Sequence, residues 1–289
     1  DTHHLTLLEI AMAAPCCPSG SHGPLAPDDV ELKGNSEKCA NLDCYFTGQK
    51  DKPTMVILAF ADVFGPLSGK HRRVCDEMAA AVPGSLVCLP DLFDGQPICE
   101  DFLGSMFPML RLKLSLPQMI YRIRYSYGWD KLGPKIQALV EYFQESSVKL
   151  CCFGFCFGGY LAVKASSTGA FSGVVGFHPS LIVGRLQCSP HSQKDTELAE
   201  EVRCPQLMIP AQNDDASVKP GGEFMSLVTA KYPSSKSVCY ENMVHGWMTR
   251  GADDAMIPQP AGIESVHDSQ ASALKLAAEF IQKVVQESS

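Results

Sequence analysis

The stretch from Gly154 to Gly159 reads GFCFGG and places Cys156 between glycines at the end of an apolar run. A G-x-C-x-G-G pattern between a strand and a helix has the form of a nucleophile elbow, with Cys in the usual position of Ser. The tight turn needs glycines where the backbone crowds against the helix, and the helix N-terminus favours a thiolate. We therefore predict a nucleophile at Cys156, although the motif alone also fits a strand end packed on a helix.

The two other cysteines of this segment, Cys151 and Cys152, lie inside the apolar run instead of on the turn. Free cysteine in such surroundings behaves as a small buried hydrophobe. We predict that both are inert parts of the core.

A nucleophile elbow needs an orienting acid and a base, which follow it along the chain in that order. The predicted strand QLMIPA is followed by Asp214 and Asp215, and the predicted strand SVCYE is followed by His245. Because ligands bind at the carboxyl ends of parallel strands, the three groups are expected at one edge of the sheet. We predict Cys156 as the nucleophile, His245 as the base and Asp214 as the acid, with Asp215 as the alternative acid.

The oxyanion formed by such a nucleophile needs two donors. One is expected to be the backbone N–H of Phe157, and the other is expected from the loop that follows the first long strand, at residues 62–65. His178, in GFHPS, ends another strand at the same edge. It is compatible with a place in the pocket and with a structural role.

The elements that must position these residues alternate along the chain. The continuous apolar runs TMVILAFAD, SLVCLPDLF, VKLCCFGF, GVVGFHP, QLMIPA and SVCYE are typical of buried strands. Helical patterns separate them, at residues 70–81, 132–143, from 158 and near 222–231, and an amphipathic helix over 274–285 closes the chain. The alternation predicts an α/β fold with a mostly parallel, doubly wound sheet and helices on both faces.

The domain organisation is predicted as an N-terminal arm over residues 1–29 and a single domain over residues 30–289. Short β segments are expected around Val30–Leu32 and Leu42–Phe46, and an insertion is expected at about residues 98–130. Residues 1–11 are interpreted as an extension of uncertain status, since Met12 is a plausible native start. Cys16 and Cys17 lie near His22, but this weak pattern favours a covering loop over a zinc site.

Composition limits the class of protein. The 289 residues are 45% hydrophobic and 19% charged, with a formal net charge of −8 and scattered basic residues, which argues against a nucleic-acid partner. No run reaches the roughly 18 apolar residues of a membrane span. The 13 cysteines lie mostly in apolar runs and not at the spacing of a disulfide framework. This usage favours a cytoplasmic location and leaves an organelle lumen open.

The order and strand context of five motifs resemble the dienelactone hydrolase (carboxymethylenebutenolidase) family of the α/β-hydrolase superfamily. The resemblance covers roughly residues 30–287 and rests on AFADVFG around Asp62, LPDLF at 89–93, GFCFGG at 154–159, QNDD at 212–215 and VHGWMTR at 244–250. It implies an α/β-hydrolase fold, a triad of Cys156, Asp214 and His245, and oxyanion donors at the backbone of Val63 and Phe157.

The resemblance also implies that a carboxylate in the loop of Asp62 contacts the resting thiol and helps to activate it, a position where the family has Glu. Family members that cleave dienelactone carry an Arg after the PDLF-type stretch, where this chain has Gly95. Dienelactone is therefore a poor guess for the substrate. The candidate substrate-binding residues are Arg250, Arg122, Arg124, His178 and Trp247.

Two functions remain open from the sequence. The first is a hydrolase of small esters or lactones that forms a thioester at Cys156 and needs no cofactor or metal. The second is a non-catalytic subunit that uses the fold for binding or assembly in a larger complex. Accordingly, the expected partner is a small ester or lactone, with the chain acting as a monomer, a homodimer or part of an assembly.

Overall fold

The apolar runs of the sequence form one eight-stranded sheet in the computed structural model, which describes residues 17–18, 21, 30–99, 118–144, 148–250 and 265–288. The strands are β1 (Asn35–Cys39), β2 (Leu42–Gly48), β3 (Met55–Phe60), β4 (Ser85–Pro90), β5 (Lys149–Phe155), β6 (Phe171–Phe177), β7 (Gln206–Ile209) and β8 (Lys236–Ser237). Their spatial order is β1-β2-β4-β3-β5-β6-β7-β8. The β1–β2 and β2–β4 pairs are antiparallel and all other pairs are parallel.

Helices cover both faces of this sheet, as the alternation of patterns predicts. The α-helices are α1 (His71–Ala81), α2 (Trp129–Gln144), α3 (Phe157–Ala165), α4 (Val183–Leu186), α5 (Asp195–Glu201), α6 (Glu223–Lys231) and α7 (Val266–Glu287). Buried residues of α1 and α7 share one core cluster, and those of α2, α3, α5 and α6 share the other. The mostly parallel, doubly wound sheet is the α/β-hydrolase fold.

The structure differs from the sequence prediction at three places. Val30–Leu32 is not a strand, and the following backbone N–H groups of Lys33 and Gly34 bond to the side chains of Asp76 and Tyr45 instead. Strand β1 was not predicted, because the exposed NSEKC has no apolar alternation. Helix α5 was not predicted either, because its mostly charged sequence DTELAEE has no apolar stripe.

Strand β8 is also shorter than the predicted SVCYE. Its neighbour β7 ends at Ile209, since Pro210 has no N–H group with which to continue the ladder. Pairing beyond Ser237 is reduced to an isolated bridge between Ala211 and Tyr240.

The predicted insertion at 98–130 falls partly outside the described residues, which resume at 118. Residues 118–121 are helical, and a π-helix spans Arg122–Ser126, two residues before α2 begins. The expectations about residues 1–11, Met12, Cys16 and His22 also lie outside the described residues. Among the helices that the structure does describe, none has the length and apolar character needed to cross a bilayer.

Candidate active site

The turn between β5 and α3 holds Cys156 in a conformation that few residues adopt. Cys156 has φ 53° and ψ −113°, it precedes the first residue of α3, and its side chain is completely buried. A non-glycine residue with positive φ is uncommon and carries strain, which the surrounding structure must hold. Here the N–H of Cys156 donates to the carbonyl of Phe177 (3.2 Å), and its own carbonyl accepts from Gly159 and Ser180, both at 3.0 Å.

The glycines of the motif are explained by close backbone contact. A Cβ at Gly158 would collide with the carbonyl oxygen of Phe60 at the end of β3, and a Cβ at Gly154 would collide with the carbonyl of Gly158. The start of α3 is thereby pressed against β5 and the end of β3. This packing gives the physical reason for the G-x-C-x-G-G pattern.

The predicted acid and base meet at the same edge of the sheet. His245 Nδ1 lies 2.5 Å from Asp214 Oδ1, and both side chains are buried. The other carboxylate oxygen of Asp214 accepts from the N–H of Ala211 (2.6 Å), and the N–H of His245 donates to Asn213 Oδ1 (2.7 Å). Asp215, the alternative acid, instead accepts from Ser217 N–H at the start of a short 3₁₀ turn.

The imidazole of His245 also faces the thiol. One of its ring nitrogens lies within 4.8 Å of Cys156 Sγ, and Nε2 has no nitrogen or oxygen partner among the described residues. Burial opposes protonation of this ring, but the adjacent Cys156 and Asp214 raise the pKa of His245 well above its ordinary value. The arrangement favours the protonated, imidazolium form of His245.

Of the two expected oxyanion donors, Phe157 follows Cys156 at the turn, and Val63 lies in the loop after β3, whose end contacts the start of α3. Phe157 is the first residue of α3, so its N–H is one of the groups that has no intrahelical acceptor. Val63 is buried in the same core cluster as Cys156 and Phe157, and its carbonyl accepts from Cys99 N–H (2.9 Å), which holds the loop in place.

Asp62 forms a buried ion pair at this site. Its carboxylate lies 3.0 Å from Arg250 Nε, accepts from Thr249 Oγ1 (3.4 Å) and lies 3.5 Å from His71 Nε2. Arg250 is 3% exposed and also lies over the ring of Phe64, 5.1 Å from its centroid. The predicted activating carboxylate is therefore engaged by the predicted substrate-binding arginine.

His178 lies in the site, with its ring centroid 4.9 Å from that of His245. It is completely buried, has a φ of 37°, and neither ring nitrogen has a hydrogen-bond partner in the described part of the chain. Burial, followed by the charges of His245 and Arg250, lowers the pKa of His178 well below its ordinary value. The neutral ring of His178 thus packs against the ring of the predicted base.

The three remaining substrate-binding candidates have structural contacts. Arg122 donates to the carbonyls of Pro97 (2.8 Å) and Ile98 and lies over the ring of Tyr127, so it holds the segment after β4. Arg124 lies over Tyr125, an exposed side chain. Trp247 is fully buried in the core cluster on the α7 face, whereas Cys156 belongs to the cluster on the other face. These contacts do not favour the substrate-binding roles expected for them.

Two residues that contact Cys156 were not predicted from the sequence to lie at the site. Ser180 places its Oγ 3.5 Å from Cys156 Sγ, and its only sequence signal is its position just after His178 at a strand end. Cys17, from the N-terminal arm, places its Sγ 3.9 Å from Cys156 Sγ and accepts from Arg250 Nη1 (3.6 Å). Its position next to Cys16 and near His22 in the sequence does not indicate that Cys17 contacts Cys156.

Comparison with known proteins agrees with this architecture. An uncharacterized AIM2 family protein of Schizosaccharomyces pombe is 28% identical over 241 residues, which cover 83% of this chain and 90% of that protein. The hydrolase pyvD of Aspergillus violaceofuscus is 29% identical over 175 residues, 58% of this chain and 62% of that protein. The crystal structure of dienelactone hydrolase from Anabaena variabilis superposes with a TM-score of 0.50 at 13% identity, covering 91% and 99% of the two chains.

The family model described as the dienelactone hydrolase family matches residues 42–285, which is most of the chain, from the start of β2 to the last turn of α7. This range contains the turn of Cys156, the Asp214–His245 pair and the loop of Asp62. The chain therefore belongs to the dienelactone hydrolase family.

Proposed function

We propose that the protein hydrolyses small carboxylic esters or lactones by covalent catalysis at Cys156. The observation that carries the proposal is the hydrogen bond between Asp214 and His245, made at 2.5 Å beside a thiol on a strained strand-to-helix turn. A nucleophile within reach of a base, with the base oriented by a third group, is the arrangement that activated nucleophiles require. Membership of the dienelactone hydrolase family supports the same reaction class.

The first half of the reaction forms a thioester. The Cys156 thiolate attacks the carbonyl carbon of the substrate, and the resulting oxyanion accepts hydrogen bonds from the backbone N–H groups of Phe157 and Val63. When the tetrahedral intermediate collapses, the C–O bond breaks and the leaving alkoxide takes a proton from His245 Nε2. Asp214 holds the ring so that Nε2 faces the reacting atoms and stabilises the imidazolium.

The second half regenerates the enzyme. His245, now neutral, takes a proton from a water molecule, and the resulting hydroxide attacks the thioester carbonyl. Collapse of the second intermediate breaks the C–S bond and returns the thiolate, with the acid as product. The net reaction is ester plus water to acid plus alcohol, and it uses no cofactor.

The proposal is tested by the rate of hydrolysis of a panel of small esters and lactones by the wild type and Cys156→Ala. We expect kcat/KM to fall by about 10⁴-fold or more, because an activated nucleophile acts as a unit with its base. Cys151→Ala is the matched control: it removes a buried thiol from the same strand and is expected to retain the wild-type rate. Intact-mass measurement with a slowly hydrolysed ester should show one acyl group at Cys156.

Full activity in Cys156→Ala would contradict the proposal. No turnover on any substrate together with no acylation of the wild type would favour the alternative of a binding or assembly subunit.

A further inference from the structure

The sulfur of Cys17 is a group at the active site that the proposed hydrolysis does not use. It lies 3.9 Å from the sulfur of Cys156, and Arg250 Nη1 donates to it at 3.6 Å. The ligand atoms of Cys17, Cys156 and His245 all lie within 4.8 Å of one another. Two thiols and an imidazole therefore converge on one point, from segments that are far apart in the chain.

We propose that Cys17, Cys156 and His245 form a binding site for a soft divalent cation of the zinc type. Zinc binds thiolate sulfur at about 2.3 Å and imidazole nitrogen at about 2.0 Å, so two sulfurs of one tetrahedral ion lie about 3.8 Å apart. The observed separation of 3.9 Å matches this span. A disulfide bond needs the same sulfurs at about 2.05 Å, a much closer approach.

The orientation of His245 suits a metal ligand. Asp214 occupies Nδ1, which leaves Nε2 directed away from the carboxylate and without a nitrogen or oxygen partner among the described residues. A histidine that binds a metal through one nitrogen commonly donates to a carboxylate through the other. Such a pairing fixes the ring and raises the basicity of the ligand nitrogen.

The local charge also accommodates a cation. Asp214 pairs with His245 and Asp62 pairs with Arg250, which also contacts Cys17. These ion pairs are buried, so an added positive charge interacts with them through a medium of low dielectric constant. A set of two thiolates and one imidazole selects zinc-like ions over calcium or magnesium, which prefer oxygen ligands.

Three protein ligands leave the fourth tetrahedral position to water or to another small ligand. An ion in this site occupies the proposed nucleophile and the proposed base together. Metal binding and ester hydrolysis are therefore mutually exclusive, and this consequence alone depends on the function proposed above.

The test is binding of Co²⁺ and Zn²⁺ to the full chain after treatment with a chelator and a reductant. We expect one Co²⁺ per chain with the intense near-ultraviolet absorption of thiolate-to-cobalt charge transfer, displaced by Zn²⁺. Cys17→Ser is expected to weaken Zn²⁺ binding by about 100-fold or more, because it removes a ligand and even the loss of a ligand's hydrogen-bond partner costs about 10- to 100-fold. Cys188→Ser is the matched control, since Cys188 is also half-buried but donates to the carbonyl of Arg124. It should bind both ions like the wild type.

Cys17→Ala serves as a second variant, and a thermal unfolding curve checks that each variant is folded. Absence of the charge-transfer band in the wild type, or unchanged Zn²⁺ affinity in both folded Cys17 variants, would overturn the proposal. A Cys17–Cys156 disulfide in place of bound metal would overturn it as well. Metal binding with the expected Cys17 dependence, in a protein that hydrolyses no ester, would support the metal site while contradicting the proposed hydrolase.

Discussion

The cysteines inside β5 and the cysteine on the turn that follows it are equally buried, but they differ in the groups beside them and so in their expected reactivity. Cys151, Cys152 and Cys156 each have no exposed surface. In the interior, burial among apolar neighbours raises the pKa of Cys151 to about 12 and that of Cys152 well above its ordinary value, so both stay as thiols. At the turn, Cys156 lies next to His245, whose pKa is raised. Burial alone does not make a cysteine inert, since a neighbouring charge decides which protonation state is favoured.

The largest expected effect comes from removing the negative charge of Asp214, which orients His245 beside the turn of Cys156. In Asp214→Asn the His245 ring loses the carboxylate that orients it, and kcat/KM for esters should fall by about 10³- to 10⁴-fold. The matched control is Asp215→Asn, which changes a neighbouring residue that caps a 3₁₀ turn and is expected to alter the rate less than threefold or so. Equal losses in the two variants would show that Asp214 is not the acid.

A substitution in the interior of β5 is expected to change the stability of the protein but not its rate of ester hydrolysis. Cys152→Ala removes one buried sulfur atom from the core, which should lower the free energy of unfolding by about 1 kcal/mol. Chemical denaturation measures this loss, and kcat/KM should stay at the wild-type value. Iodoacetamide followed by peptide mass spectrometry should label Cys156 in the native protein and leave Cys152 unlabelled. Preferential labelling of Cys152 would contradict the contrast between the two regions.

A further expected effect is the pH dependence of stability contributed by His178. Its pKa is lowered in the folded state, so below about pH 6.5 the unfolded chain binds a proton that the folded chain refuses. Stability is therefore lost as the pH falls, by at most about 1.4 kcal/mol per pH unit for this one group. His245 has the opposite sign, because its pKa is raised: its contribution is present below about pH 6.5 and lost as the pH rises through the raised pKa.

Urea unfolding of the wild type and His178→Asn between pH 5 and about 7.5 measures the contribution of His178 to the pH dependence of stability. Asn tolerates the positive φ found at this position better than most residues. The variant should show a shallower loss of stability on acidification. Parallel curves for the two proteins would mean that His178 does not resist protonation in the folded state.

The predicted nucleophile, acid and base could be assigned from the sequence because each follows an apolar run that predicts a parallel strand, although the strand before His245 is only two residues long. Strand order and direction then bring Cys156, Asp214 and His245 to one edge without any knowledge of side-chain conformations. The α/β fold was predictable for the same reason, since the apolar runs of β3, β5 and β6 are continuous.

Contacts between side chains far apart in the sequence could not be predicted. The Asp62–Arg250 ion pair depends on two loops and on the rotamers within them. Cys17 belongs to a segment rich in Pro and Gly, where no periodic pattern indicates the path of the chain. Trp247 follows His245 by two residues, but the turn after His245 directs its ring into the opposite core.

The short strands β7 and β8 at one edge of the sheet affect the order in which the protein loses its activity and its fold. Strand β5, which carries Cys156, pairs along its length with two neighbours, whereas Asp214 and His245 follow the four residues of β7 and the two of β8. Segments with fewer backbone bonds to neighbouring strands open at a lower free energy than the centre of a sheet. The half of the site that holds the acid and base is therefore the first to separate, so heat or denaturant should inactivate the protein before it unfolds.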